Sequence, residues 1–354
     1  MKIRSIQAWR EKLPLKKPYT IAYKTIADTD LIFAEITLEN GITGIGSSNP
    51  FPEVVGETSE ITVANLNSDF VQNFIGRDIR AFQQLIDETA TNFPNRPGTL
   101  AAIDIALHDA FAKYLGISVL NFYGKKIEPL PTSITIGIKE TNAMIEEAKG
   151  YQALGFRVLK IKTGHNVDED VERVLKIKEA FNNAFIIRVD ANQGYTLEQL
   201  QKFIKDAGKQ VELIEQPVKA GADDLLQQLH TNERKVLAAD ESLLDATNAS
   251  FLSHPPQSYG IYNIKLMKCG GIKAAKEIAS IAKHAGINLF WGCNDESIIS
   301  ITAALHAAYS CSNTKYLDLD GSFDLSKDLV EGGFVVKDGY VYPTNEPGFG
   351  FTKI

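Results

Sequence analysis

Cysteine is scarce, with only Cys269, Cys293 and Cys311 among 354 residues. An odd, scattered set makes no disulfide framework and has no metal-site spacing, so the three read as small apolar fillers in a reduced protein. No apolar run approaches the roughly 18 residues needed to span a bilayer. The opening Met1-Lys2-Ile3-Arg4-Ser5-Ile6 alternates like a strand, where a signal peptide would carry its apolar core. A cytoplasmic protein with no membrane partner is therefore expected. Lysine and arginine form no block or stripe, and the formal charge of −7 argues against a nucleic-acid surface. Low-complexity segments are absent too. What remains is an ordinary globular composition, 44% apolar and 23% charged. The length suffices for two domains or for a barrel with an appendage.

The first 125 residues read as an α+β unit, strands first and helices after. A strand is expected over 3–10, and a hairpin joins 31–38 to 42–46 around Glu39-Asn40-Gly41. The polar, Pro- and Gly-bearing stretches 16–25 and 49–56 read as mobile loops. Helices are expected at 58–72, 80–91 and 98–115; the last has a buried apolar stripe that includes His108 as a structural histidine. The pattern then changes to strict strand–helix alternation. Strands at 132–138, 157–163, 185–190, 211–215, 235–240, 260–266, 287–292 and 315–319 indicate a (β/α)7β TIM-like barrel without a regular last helix, spanning 126–320. Residues 321–354, polar and Gly-rich, are expected to run back to the first domain and complete it.

Function is written at the strand ends. In Arg157-Val158-Leu159-Lys160-Ile161-Lys162-Thr163-Gly164, Lys160 and Lys162 project to one face of a strand. An isolated Lys-x-Lys is ordinarily a pair of surface lysines. Here three further apolar runs end in Asp190, Glu215 and Asp240, and a fourth in Lys265, at intervals of about 25 residues. That is the length of one strand–helix unit, and the carboxyl ends of such strands are where a barrel holds its chemistry. Each acid alone could equally cap a helix or pair with a cation. Together, three converging carboxylates call for a cation, and hard oxygen ligands suit Mg²⁺. Lys162 and Lys265 would then flank a substrate α-carbon from opposite sides of the lumen as bases, with Lys160 lowering the proton affinity of Lys162. Asn192 follows the ligand Asp190 and would orient it. Lys268 lies beyond the strand end.

The order Lys-x-Lys, Asp-Ala-Asn-Gln, Glu-Gln-Pro, Ala-Asp-Glu-Ser and Asn-Ile-Lys-x-x-Lys-x-Gly-Gly resembles the muconate-lactonizing subgroup of the enolase superfamily. The resemblance extends to Ala102-Ile103-Asp104-Ile105-Ala106-Leu107-His108-Asp109 in the first domain. It implies one Mg²⁺ per subunit on Asp190, Glu215 and Asp240, acid/base lysines at Lys162 and Lys265, and loops 16–25 and 49–56 closing over the barrel mouth. The eighth strand ends in Asp318-Leu319-Asp320, similar to the acid pair with which dipeptide epimerases hold the substrate ammonium. The implied activity is inversion of the C-terminal residue of an Ala-Xaa dipeptide by two-base 1,1-proton transfer. Rival subgroup reactions are racemisation of N-acylamino acids, o-succinylbenzoate synthesis and cycloisomerisation. Thr135, Asp295, Tyr23 and Lys24 are further substrate-facing candidates. Lys24 would favour Ala-Glu, whereas Tyr23 and Ile21 would favour small apolar dipeptides such as Ala-Ala. A homo-oligomer with a small-molecule dipeptide substrate is expected.

Overall fold

Short, apolar, β-branched runs buried on both faces are what a parallel barrel needs from its strands, and eight of them occur in succession. They are β4 (Ser133–Ile136), β5 (Val158–Lys162), β6 (Ile186–Asp190), β7 (Leu213–Glu215), β8 (Leu237–Ala239), β9 (Ile261–Ile264), β10 (Asn288–Trp291) and β11 (Thr314–Leu317). They follow three capping strands, β1 (Ile3–Thr20), β2 (Thr25–Leu38) and β3 (Thr43–Ser48). The computed structural model describes residues 1–20 and 25–354, so Ile21, Ala22, Tyr23 and Lys24 lie outside the described residues. The barrel strands hydrogen-bond in sequence order from β4 to β11. A parallel bridge between Thr132 and Leu317 joins the two ends of the sheet. Among the described residues no helix follows β11, in keeping with a (β/α)7β count.

The capping strands form an antiparallel sheet, β1 with β2 and β2 with β3. One expectation is corrected here. Where described, the stretch 16–25 is not an irregular loop but the far end of the β1–β2 ribbon, with Tyr19 opposite Ile26 and Thr20 opposite Thr25. The register slips between Pro14 and Tyr19, the span bounded by prolines that have no N–H to donate. The ribbon is tied to the barrel on that side, because the Lys16 amide donates to the Asp324 carbonyl at 2.7 Å.

The 19-residue helix Pro97–Leu115 is apolar nearly all round because it serves two cores. Ile103, Ala106, Leu107 and Ala110 pack into the capping core, while Ala101, Ile105 and Ala112 pack against the barrel. The sheet lies so close that a Cβ on Gly46 would sit 1.9 Å from the Ala102 carbonyl oxygen. His108 is a satisfied structural residue, 2.8 Å from the Asp104 carbonyl and 2.7 Å from the Tyr123 hydroxyl. Asp104, fully buried, reaches the other way. Its two oxygens accept the Ile272 and Lys273 amides at 2.8 and 3.2 Å. They cap the barrel helix Ile272–His284, whose own N-cap is Gly271 and offers no side chain. The tail contributes β12 (Val330–Gly332), β13 (Phe334–Lys337), β14 (Tyr340–Pro343) and β15 (Phe351–Lys353). It returns to the capping side, where Asp109 accepts the Phe349 amide at 3.1 Å and Lys353 pairs with Glu35 at 2.9 Å.

Asp104→Ala would orphan the buried Ile272 amide, at about 1–3 kcal/mol, and the part-buried Lys273 amide, at about 1 kcal/mol, and should destabilise the protein by about 2–4 kcal/mol in urea unfolding. A loss below about 0.5 kcal/mol, the range of ordinary surface substitutions, would show that this cap does not join the two parts.

Candidate active site

Register carries the strand-end residues to one rim. Lys162 lies opposite Asp190 in the β5–β6 pair, and Asp190 opposite Glu215 in β6–β7. Asp240 follows β8 directly and Lys265 follows β9. The lysines and acids interleave. Lys160 Nζ, 3% exposed as a residue, is 2.7 Å from Asp318, 2.8 Å from Glu215 and 3.1 Å from Asp190. Lys162 Nζ is 2.7 Å from Asp190 Oδ2 and 3.2 Å from Asn192 Oδ1. Lys265 Nζ is 2.8 Å from Asp240 Oδ2. In an eight-strand barrel β5 and β9 are four strands apart, so Lys162 and Lys265 approach from opposite sides.

Burial and mutual charge set the proton affinities. Burial, then the Asp190 charge, push Glu215 up to about 8. Burial acts on Asp190 in the same direction, but Lys162 and Lys160 outweigh it and hold the group down at about 2. Asp240 is held well below the carboxylate range: burial opposes this, and Lys265 and Lys268 overcome it. For Lys265, burial disfavours the charge, yet Asp240 and Glu215 raise its proton affinity above the ordinary lysine value. Lys160 likewise stays cationic, its burial outweighed by Asp318, Glu215 and Asp190.

Among the described residues, Asp190, Glu215 and Asp240 do not close into a ready metal cage; each is turned toward an ammonium. Their chemistry nevertheless fits a hard divalent cation. All are carboxylates, fully or almost fully buried; the Asp240 charge raises the proton affinity of Asp190, and both raise that of Glu215. Glu215 Oε2 receives no well-formed hydrogen bond although Lys160 is 2.8 Å away. An orphaned buried carboxylate oxygen is costly unless a cation completes it.

The remaining candidates divide. The Asn192 backbone amide donates to Asp190 Oδ1 at 2.9 Å. Asp318 accepts from Ser133 Oγ at 2.6 Å as well as from Lys160. Asp320 accepts the Thr135 amide at 2.8 Å, and burial followed by Asp318 and Asp324 pushes it up to about 7. Thr135 and Asp295 line the same cavity of about 1310 Å³ at the barrel mouth. The Asp295 carbonyl accepts from Asn49 Nδ2 at 2.7 Å, which pins the 49–56 stretch to the barrel. Pro50, Phe51 and Pro52 of that stretch also line the cavity. Tyr23 and Lys24 lie outside the described residues.

Sequence reasoning undervalued two groups. Lys268 Nζ donates to the Asp240 carbonyl at 2.6 Å, to the Asn263 carbonyl at 3.1 Å and to Asp240 Oδ1. Asn263 Nδ2 donates to Glu215 Oε1 at 2.8 Å. Strand alternation was the available signal for Asn263, which shares a face with Lys265. For Lys268 the signal was its place in the Asn-Ile-Lys-x-x-Lys-x-Gly-Gly motif, which does not show that it reaches back from the short helix Leu266–Cys269.

Residues 3–124 match the mandelate racemase / muconate lactonizing enzyme N-terminal domain, and residues 143–353 the enolase C-terminal domain-like family. The chain belongs to the enolase superfamily. It is 48% identical, over the whole of both chains, to the L-Lys-D/L-Arg epimerase of Desulforapulum autotrophicum. A dipeptide epimerase from Methylococcus capsulatus, solved with Mg and the dipeptide L-Arg-D-Lys, superposes with a TM-score of 0.97 at 45% identity, covering 99% of each chain. The L-Ala-D/L-Glu epimerase of Bacillus subtilis, in a substrate-liganded complex, gives 0.93 at 27% identity, over 100% of this chain and 99% of that one. As a superfamily member with this kinship, the chain is an isomerase of the racemase and epimerase type.

Mg²⁺ should raise the melting temperature. Asp240→Asn and Glu215→Gln should each shift the midpoint of that titration by more than about tenfold, since losing a ligand costs no less than losing the groups that support one. An unmoved midpoint in both variants would remove these residues from the metal site.

Proposed function

We propose that this isomerase is a Mg²⁺-dependent dipeptide epimerase, and that its substrates carry cationic side chains. The observation that carries the first part is the pair of opposed lysines, Lys162 and Lys265, converging on three buried carboxylates. Inversion at a carbon needs a proton taken from one face and another delivered to the opposite face. When bound at Asp190, Glu215 and Asp240, Mg²⁺ supplies positive charge that offsets the negative charge developing as the α-proton leaves. Lys162 and Lys265 act at the α-carbon of the C-terminal residue, one as base and one as acid. Lys160 remains protonated between Asp318, Glu215 and Asp190 and adds fixed positive charge beside the substrate carboxylate. Asp318 has both oxygens engaged, by Ser133 and the Lys160 ammonium, whereas Asp320 has the Thr135 amide and only a weak thiol contact from Cys293 at 3.9 Å, so Asp320 is the principal acceptor for the dipeptide ammonium.

Two observations favour cationic substrates over the Ala-Xaa dipeptides expected from sequence. Relatives at 48% and 46% identity are L-Lys-D/L-Arg epimerases, whereas the L-Ala-D/L-Glu epimerases lie between 29% and 33%. The cavity is also edged by Asp28, Asp30, Glu60, Glu146, Glu147 and Asp324, against Lys16, Lys17 and Lys139. A glutamate side chain would enter a region already rich in negative charge.

Lys162→Ala and Lys265→Ala should each abolish net epimerisation while leaving the Mg²⁺ melting shift intact. Full epimerisation by either variant would end the two-base scheme. For the unmodified protein, kcat/KM for L-Lys-L-Arg should exceed that for L-Ala-L-Glu and L-Ala-L-Ala by more than about tenfold, the scale of one charge-assisted contact. The reverse order would restore the Ala-Xaa reading.

A further inference from the structure

A cationic dipeptide brings up to two side-chain charges into the cavity, and its acids are not equally available to them. On the capping side, Arg10 pairs with Asp30 at 2.7 Å and with Glu60 through its other terminal nitrogen. Asp28 lies 3.2 Å from Lys12 Nζ. On the barrel side, Asp324 stands in the turn that follows the ammonium-binding Asp320. Among the described residues no hydrogen bond or ion pair reaches its carboxylate. Its backbone carbonyl is used, by the Lys16 amide, but its side chain is half-buried and open to the cavity.

The groups facing Asp324 are mostly of its own sign. Burial, then Asp295, raise its proton affinity; Lys16 lowers it and Glu147 raises it again, for a net value of about 6. Asp320 feels the Asp324 charge in turn. Of the nearby cations, Lys16 is bonded to the Phe323 carbonyl at 2.7 Å and Lys139 to Glu147. The wall leading to Asp324 is aromatic. Tyr151 and Phe156 have ring centroids 6.1 Å apart, and Phe156 and Phe323 6.0 Å apart. Tyr151 in turn donates to Glu147 at 3.0 Å. An apolar wall ending in an unpaired carboxylate suits a side chain with an alkyl stem and a charged head.

Chain geometry then selects the residue. With the substrate carboxylate toward Asp190, Glu215 and Asp240 and the ammonium at Asp320, the side chain that leaves beside the ammonium belongs to the first residue of the dipeptide. We propose that Asp324 is a specificity-determining residue, binding the cationic head of the first residue's side chain while the stem lies along Tyr151, Phe156 and Phe323. This rests on the cationic-dipeptide reading and refines it: charge is read chiefly at the first position, on the barrel side.

The test compares L-Lys-L-Arg with norleucyl-L-arginine, which keeps the stem and removes the charge. The unmodified protein should favour lysine in kcat/KM by more than about tenfold, and Asp324→Asn should erase most of that ratio. Asp324→Glu, which keeps the charge, should retain most of it. Asp324→Ser carries the same expectation as Asp324→Asn, so the outcome does not hang on one variant folding. If the unmodified protein prefers lysine and the ratio survives in Asp324→Asn and Asp324→Ser, Asp324 is not the reader, while the cationic reading stands. If the unmodified protein handles lysine and norleucine alike, no charge is read at the first position and this assignment falls, while the comparison of L-Lys-L-Arg with L-Ala-L-Ala still decides the cationic reading.

Discussion

Charge cannot be buried at a barrel rim unless it is matched. Lys160, Lys162, Lys265 and Lys268 are brought there together with Asp190, Glu215, Asp240 and Asp318, and each of them touches a group of opposite sign. Isolated ions in such a place would cost several kcal/mol each. Interleaved, they hold one another in register. A cation arriving among the carboxylates would replace what the ammoniums of Lys162 and Lys265 now supply, and would free both lysines from their carboxylate partners.

The rest of the fold keeps that lattice in place. Lys268 and Gln216 hold Asp240 through its backbone as well as its side chain, with Gln216 Oε1 accepting the Asp240 amide at 2.8 Å. Asn263 fixes Glu215, and Ser133 fixes Asp318. Farther out, Asp104 locks the capping helix to the barrel helix that follows the Lys265–Gly271 turn. Asn49 and the Lys16 segment fasten the capping side to the rim. The cavity is therefore shaped by two parts, with the buried lysines and carboxylates on one and part of its outer wall on the other.

The barrel and its charged rim were legible because each strand is a short apolar run ending in one ionisable residue, a pattern that depends only on local sequence. Asp190, Glu215 and Asp240 could be read that way, and so could Lys162 and Lys265. The β1–β2 ribbon could not, because Pro14 and Pro18 argue locally against a strand while pairing with residues 26–28 imposes one. Lys268 and Asn263 stand in the Asn-Ile-Lys-x-x-Lys-x-Gly-Gly motif, but their carboxylate partners, Asp240 and Glu215, come from other strand ends, so the motif marks the residues without showing what they hold. Substrate preference was least legible. The residues that line the outer cavity, Asp324 and Glu147 with Tyr151, Phe156 and Phe323, come from separate segments that meet only in the fold, and Tyr23 and Lys24 lie outside the described residues.

The central claim, proton transfer between two opposed lysines, is tested most directly by isotope content at low conversion. A protiated L,L-dipeptide with cationic side chains is incubated with Mg²⁺ in ²H₂O, and both diastereomers are recovered while little has turned over. Two bases predict a product almost fully deuterated at the inverted carbon, since its new hydrogen comes from the lysine opposite the one that removed the old. A product that retains the substrate's own hydrogen would contradict the account, because a single base would then have served both faces.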